Sequence, residues 1–276
     1  MLKKLKNLVA MITCSIFMFS SVAPVMASNT NSAMTTSSYT NQQKQAIEKL
    51  SKSEDKLVDY LKANSATNKN IKTLIDNFFS NELTNDEKFT GNEIAELNTL
   101  SENNREVKAK SLNKTKAKVP TAVRKSVVIN DTDIDFYDNG IFAIGKNNTS
   151  TTSDISVAAS IRYAQSYKDY YSWVGVHIFT VAQSLNFSYD GVKADYAGNY
   201  DGWYQRGSIL SLWQVSEWEE GHYAVGNNYE AKVSGLFHTG FEYQGFGLVI
   251  QDLVITQYVT CYPNSAYDAT YIERDV

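Results

Sequence analysis

The spacing of hydrophobic residues changes from a helical to an alternating pattern near Pro120, so the chain must fold into two unlike parts. From about residue 41 to residue 118, apolar residues recur at intervals of three and four, which predicts short amphipathic helices. Beyond Pro120, apolar and polar residues alternate, which predicts strands with one buried face. We therefore expect a segregated α+β fold: a short N-terminal helical segment followed by an all-β, sandwich-like domain.

Three stretches of the first part carry an apolar stripe at helical spacing. They comprise Ile47, Leu50, Leu57 and Leu61, then Ile71, Leu74, Ile75, Phe78 and Phe79, and a weaker set of Ile94, Leu97 and Leu100. Thin stripes of this kind give helices that are marginal alone and need each other or a partner surface.

The second part contains 16 of the 18 tyrosines and all four tryptophans, together with clear strand and turn signals. Residues 155–163 and 229–243 alternate, and residues 173–181 are apolar on both faces, which is typical of a strand covered on two sides. Turn signals occur at Asp138-Asn139-Gly140, Asp190-Gly191 and Asp201-Gly202. We expect these strands to form a self-sufficient body with its own interior.

The first 27 residues have the organisation of a secretory signal peptide. Lys3, Lys4 and Lys6 precede an apolar stretch from Leu8 to Phe19, and Val25-Met26-Ala27 resembles a signal-peptidase site. A membrane anchor is the alternative, but the apolar stretch is short and a polar tract follows it. We expect a secreted, extracellular protein. Removal of the signal would leave a single cysteine and no internal disulfide.

Composition divides the remaining chain into segments of different character. The expected organisation is a signal peptide (1–27), a disordered polar lead-in (28–40), a helical segment that is a candidate pro-segment (41–104), a basic linker (105–124) and the β-sandwich-like domain (125–276). The linker is interpreted either as a protease site or as a solvated hinge. Residues 41–118 carry a net charge of +2 and residues 119–276 a net charge of −9, which favours docking of the helical segment on the β domain.

Established catalytic motifs are missing from the sequence. It has no Gly-x-Ser-x-Gly elbow, no His-Glu-x-x-His, no phosphate-binding glycine loop and no Cys-x-x-Cys pair. Cys261 could pair with His177 or His238, but its apolar neighbours favour a buried structural cysteine. His177 is interpreted as a core histidine and His238 as solvent-facing.

Two sets of acidic residues also have an interpretation that involves neither metal binding nor catalysis. Asp131, Asp133 and Asp135 alternate, and Phe136 stands where a calcium-binding EF-hand loop needs glycine, so they are interpreted as a solvated strand face. Glu217, Glu219 and Glu220 could supply a glycosidase pair, but nothing in the sequence fixes their separation, and a charged turn is the favoured interpretation. We therefore assign no catalytic residue, metal or cofactor, and expect a protein that is not an enzyme. The net charge of −4 argues against nucleic-acid binding.

One aromatic-rich stretch is a candidate ligand site. It is expected to be a loop region and contains Tyr189, Tyr196, Tyr200, Trp203 and Tyr204 among aspartates and glycines. Flat amphipathic rings beside hydrogen-bond acceptors suit sugars, lipid headgroups or a protein partner. The alternative is an aromatic-rich turn that folds over the rim of the sandwich.

Two further stretches carry a family resemblance. The sequence from Gly207 to Gly221 (GSILSLWQVSEWEEG) and that from Gly235 to Gly245 (GLFHTGFEYQG) resemble secreted Gram-positive proteins grouped with the geobacillin-like large bacteriocins. The resemblance covers the chain from about residue 125 onward and assigns no residue a role. It implies a secreted, unmodified antibacterial protein.

Three functions remain open from the sequence. The first is a secreted, bacteriocin-like antagonist that acts at the target cell surface or membrane, with residues 147–160 as a candidate membrane hairpin. The second is a carbohydrate- or cell-wall-binding β-module without catalysis, and the third is a secreted hydrolase. The expected partners are accordingly a target-cell membrane or a cell-wall glycan.

Overall fold

Helices occupy the first part of the chain and strands the rest in the computed structural model. The structure describes residues 39–100, 119–120, 123–137, 140–146, 160–208, 211–241 and 251–275. The helices are α1 (Asn41–Ala63), α2 (Ile71–Asn77), which continues into a π-helical turn (Phe78–Glu82), and α3 (91–100). α1 begins at Thr40, whose side chain and Gln43 form a capping box. None of the described helices is both long enough and apolar enough to cross a membrane.

Eleven strands follow in the described residues. They are β1 (Val119–Pro120), β2 (Val123–Ile129), β3 (Thr132–Tyr137), β4 (Ile141–Lys146), β5 (Ser160–Ser172), β6 (His177–Tyr189), β7 (Ala194–Arg206), β8 (Ser211–Val225), β9 (Asn228–Phe241), β10 (Gln251–Cys261) and β11 (Tyr267–Asp275). They form a six-stranded sheet in the order β2-β3-β4-β5-β6-β7 and a five-stranded sheet in the order β1-β11-β10-β9-β8. All pairings are antiparallel.

The two sheets pack face to face, which confirms the predicted α+β fold with a β-sandwich. One apolar cluster joins Tyr170 and Phe179 of the six-stranded sheet to Phe237 and Ile255 of the five-stranded sheet. The rings of Phe179 and Phe237 stack at 4.5 Å between centroids. A second cluster contains Phe187, Val259 and the buried Cys261. Burial of these faces from water is the main source of stability for a chain like this.

The helices cover the other face of the six-stranded sheet. Leu57 and Leu61 of α1 and Phe78 of the π-helical turn share one apolar cluster with Phe142 and Tyr171. The unit that begins at residue 39 is therefore three layers deep: helices, the six-stranded sheet and the five-stranded sheet. Residues 39–276 cluster as one compact unit. The strands have an interior of their own between the two sheets, and the thin helical stripes predicted from the sequence are completed by the other face of the six-stranded sheet.

Charge pairing between the helices and the sheet follows the predicted sense only in part. Lys72 of α2 meets Asp169 of β5 at 3.1 Å, as a basic segment on an acidic domain would. However, Lys125 of β2 meets Asp55 of α1 at 2.6 Å, and Arg124 pairs with Glu54. Burial raises the pKa of Glu54, and the Arg124 guanidinium opposes that rise. Ion pairs across this interface thus run in both senses, although the net charges of the two segments are opposite.

Several local expectations need correction. The end of the predicted linker is strand, because Val119–Pro120 pairs with β11 and β2 begins at Val123. Residues 173–176 form the β5–β6 turn, where Gly175 has φ +79°, and only the part from His177 onward is the strand buried on both faces. Asp201-Gly202 lies inside β7 and is not a turn. The predicted signal peptide, the lead-in up to residue 38, residues 101–104 of the helical segment, linker residues 105–118 and 121–122, and residues 147–159 of the candidate hairpin lie outside the described residues.

Candidate functional site: an aromatic seam between the sheet edges

Strands β7 and β8 form neighbouring edges of the two sheets, and aromatic side chains line the junction between them. β7 is the last strand of the six-stranded sheet and β8 the last strand of the five-stranded sheet. We define the aromatic seam by its rings, which come from both strands: Tyr196, Tyr200 and Tyr204 of β7, and Trp213, Trp218 and His222 of β8.

At one end of the seam, Tyr204 packs edge-on against two tryptophans. Its ring centroid lies 4.7 Å from that of Trp218 and 5.5 Å from that of Trp213. It also lies 6.0 Å from Phe237, which belongs to the core of the sandwich. Such edge-to-face arrangements are the preferred geometry for aromatic pairs. The ring of Tyr204 is nevertheless 39% exposed, so one side of it faces solvent.

At the other end, His222 is held between tyrosines. Tyr196 stacks on the imidazole at 4.3 Å, Tyr200 meets it edge-on at 4.8 Å, and His222 Nδ1 lies 2.6 Å from the hydroxyl of Tyr229. Tyr196 is 41% exposed, so this end of the seam also presents a ring face to solvent.

Tyr200, in the middle of the seam, is held by hydrogen bonds to the five-stranded sheet. Its hydroxyl accepts a hydrogen bond from the Gly221 amide at 3.0 Å and donates one to the Lys232 carbonyl at 2.9 Å. Burial raises the pKa of Tyr200 to about 12, with Glu220 and Asp201 adding to the rise and the Gly221 N–H opposing it. Tyr200 is therefore a neutral structural bridge between the two sheets, and the exposed rings on either side of it are fixed in place.

Glycines allow this close approach of the strands. A Cβ atom at Gly202 would lie 2.5 Å from Val233 and 2.8 Å from Glu220, and one at Gly235 would lie 2.9 Å from Trp218. Asp201-Gly202, which predicted a turn, instead places a glycine where β7 approaches β8 and β9.

The structure brings together three of the five predicted ligand residues. Tyr196, Tyr200 and Tyr204 lie in the seam, but they stand on a strand and not in a loop. Tyr189 lies at the end of β6, with its ring 5.9 Å from Phe187 and next to the second core cluster. Trp203 directly precedes Tyr204 in β7 and therefore lies on the opposite face of the strand.

Sequence reasoning missed Trp213, Trp218 and His222. They lie in β8, whose register is irregular between Ser216 and Glu219, so simple alternation does not place them on one face. Only the pairing of β8 with β9 in the structure shows that these three side chains lie on the same side of β8, at the seam.

Of the acidic candidates, Glu219 lies 3.6 Å from Lys232, whereas Glu220 lies beside the position of Gly202 in the seam. As neighbours in one strand they point to opposite faces, which does not suit a glycosidase pair. Asp135 is not on a solvated face as expected, because Lys168 Nζ lies 3.0 Å from its Oδ2.

The cysteine and histidine candidates are also separated. Cys261 is buried inside the sandwich, and burial raises the pKa of its thiol to about 12. His177 is partly buried and lies 3.3 Å from Asp169 and 3.2 Å from Thr180, which suits the predicted core role. Across the described part of the chain, no three His, Cys, Asp or Glu side chains are grouped as metal ligands.

Comparison of the chain with known protein families, with curated proteins and with solved structures finds no match.

Proposed function

We propose that the chain is an exported protein that binds carbohydrate at a cell surface through the aromatic seam, without chemistry at that site. The observation that carries the proposal is the pair of fixed, partly exposed rings of Tyr196 and Tyr204 on one seam. Tyrosine faces pack on the C–H faces of sugar rings and expose little flexible apolar surface before binding.

Polar groups beside these rings complete the chemistry. Glu220 is an exposed acceptor along the seam and suits sugar hydroxyls. Tyr200 and the glycines hold the rings before any ligand arrives, which lowers the entropy cost of binding. The sequence signal for export, residues 1–27, supports an extracellular ligand.

The test is binding of the exported form, residues 28–276, to a glycan array and to isolated Gram-positive cell walls. Replacing Tyr196 or Tyr204 with alanine should weaken binding about two- to tenfold, because one aromatic contact contributes about 0.5–1.5 kcal/mol. Tyr163→Ala is the matched control, since Tyr163 is 53% exposed on β5, away from the seam. Equal binding by the three variants and the parent protein, or no binding by the parent, would contradict the proposal.

A second candidate is antagonism of other bacteria, and one observation favours it. The two stretches that resemble large bacteriocins fall largely on β8 and β9, which form one side of the seam. On this proposal the seam would attach the protein to its target cell. Growth inhibition and dye leakage in a panel of Gram-positive strains test it, with Tyr204→Ala as the binding-deficient comparison. An inactive parent protein would argue against antagonism and leave carbohydrate binding to its own assay.

A further inference from the structure

Three polar side chains on the outer face of the five-stranded sheet form a continuous hydrogen-bonded chain. Ser216 Oγ lies 3.2 Å from Nε2 of His238, and His238 Nδ1 lies 2.9 Å from Oδ1 of Asp252. The serine and the carboxylate thus contact opposite nitrogens of one imidazole. This is the order of groups that activates a serine nucleophile: base on the hydroxyl, carboxylate on the far side of the base.

Strand register assembles this chain from three neighbouring strands. His238 of β9 is directly opposite Asp252 of β10. Ser216 of β8 is opposite Leu236, two residues from His238 on the same face of β9. Directly opposite and diagonal positions on one face of an antiparallel sheet are within side-chain reach. The three groups are held by rigid elements, as a catalytic constellation requires.

We propose that Ser216, His238 and Asp252 form a serine-hydrolase site for carboxylic esters. Ser216 Oγ attacks the ester carbonyl carbon while His238 Nε2 takes its proton. The protonated imidazole, stabilised by Asp252, returns that proton to the departing alkoxide, and the acyl group remains on Ser216. Water then attacks the acyl-enzyme with its proton passing to His238. The imidazole finally reprotonates Ser216, so that one carboxylic acid and one alcohol are released.

The backbone next to Ser216 departs from regular strand geometry. Pairing skips from Ser216–Leu236 to Glu219–Ser234, and Glu217 adopts φ 54°, an unusual value for a residue other than glycine. A bulge leaves backbone groups out of the regular ladder. We assign the amides that follow Ser216 as donors for the oxyanion that forms on attack, since the unusual conformation at Glu217 stands next to the nucleophile.

Exposure defines the class of substrate. His238 is 38% and Asp252 35% exposed at the side chain, so the site lies on an open sheet face. Such a face is accessible to a small acyl group carried on a large or polymeric alcohol, because neither the acyl nor the alcohol part has to enter an enclosed cavity. We assign short-chain esters, with acetyl as the simplest, as the substrate class.

The test uses residues 28–276 with p-nitrophenyl acetate and a fluorophosphonate probe that labels activated serines. The parent protein should hydrolyse the ester, and mass spectrometry should place both the probe and a trapped acetyl group on Ser216. Ser216→Ala should abolish labelling and reduce turnover at least about 100-fold, and Asp252→Asn should reduce turnover by a similar or smaller factor.

Ser234→Ala is the matched control. Its hydroxyl lies on the same outer face but pairs with Thr256 at 2.9 Å, so this variant should keep full labelling and turnover. Thermal melting of each variant separates loss of chemistry from loss of fold. A well-folded parent protein without probe on Ser216, or turnover that survives Ser216→Ala, overturns the proposal whatever the carbohydrate assays show.

Discussion

Lys168 Nζ lies 2.9 Å from Glu273 Oε1 in the interior between the two sheets, and both side chains are buried. The lysine also donates to the Tyr137 hydroxyl at 2.7 Å and lies 3.0 Å from Asp135. Burial alone would lower the pKa of Lys168, but Tyr137 and the carboxylates of Glu273 and Asp135 outweigh it and raise the pKa. The interior of the sandwich therefore contains a charged pair.

Removing one partner of the Lys168–Glu273 pair should strongly destabilise the folded protein. Lys168→Met leaves the Glu273 carboxylate buried without its cation, and we expect a loss of about 3–5 kcal/mol in the free energy of unfolding. The double variant Lys168→Met/Glu273→Leu should lose less than the sum of the two single variants. Urea denaturation measures all three. Lys52→Ala, which removes an exposed pair with Glu48, is the control and should leave the urea midpoint nearly unchanged.

The helical segment should be required for folding of the strands. Without it, Phe142 and Tyr171 would lose the residues that cover them, including Phe78. We expect residues 121–276 alone to bind a hydrophobic dye and to melt without a cooperative transition, as followed by circular dichroism. A sharp melt of that fragment would instead restore the idea of a removable pro-segment.

A single substitution tests in the full-length chain whether the helices and the six-stranded sheet share a core. Phe78 is fully buried, so Phe78→Ala should destabilise the protein by about 3–5 kcal/mol. Val128→Ala, at an exposed position of β2, should cost under about 0.5 kcal/mol. Similar urea midpoints for the two variants would contradict the shared core.

Cys261 should be unreactive in the folded protein. Its side chain is buried, and burial raises the pKa of the thiol to about 12, so almost no thiolate is present near neutral pH. We expect thiol reagents to modify residues 28–276 only after denaturant is added, with a rate that follows global unfolding. Rapid modification under native conditions would mean that this end of the sandwich opens.

Hydrophobic periodicity was sufficient to predict the helices and the segregated fold, because the apolar residues on the buried face of each element recur at the period of a helix or a strand. The alternation from Tyr229 to Phe237 is an example, since its apolar members are buried in the structure. Periodicity could not show that the helices cover the six-stranded sheet, because a face buried on a helix and a face buried on a second sheet look alike in sequence. Strand β6, buried on both faces, was the available signal.

The candidate sites depend on register and were therefore only partly predictable. Tyr196, Tyr200 and Tyr204 are close in sequence and could be found by composition, whereas their partners Trp218 and His222 come from another sheet. Ser216, His238 and Asp252 carry no local motif, and only the pairing of three strands aligns them. Because of the bulge after Ser216, alternation alone would assign the residues that follow it to the wrong face of β8.

The approach of β7 to the five-stranded sheet should depend on the absence of a side chain at Gly202. In Gly202→Ala the new Cβ would lie 2.5 Å from Val233, so the strands must separate or Val233 must move. We expect a loss of about 1–3 kcal/mol in stability. The rings of the seam should shift with β7, so carbohydrate binding should weaken together with stability.

Gly221→Ala is the matched comparison for that variant. Gly221 lies in β8 at the same seam, but a Cβ there meets no atom within 4 Å. Alanine in a strand is intrinsically better than glycine by about 0.5–1 kcal/mol, so this variant should be as stable as the parent or slightly more so. Urea midpoints and glycan affinity measured for both variants decide the matter. If Gly202→Ala behaved like Gly221→Ala, the two sheet edges would not be in the close contact from which the seam is built.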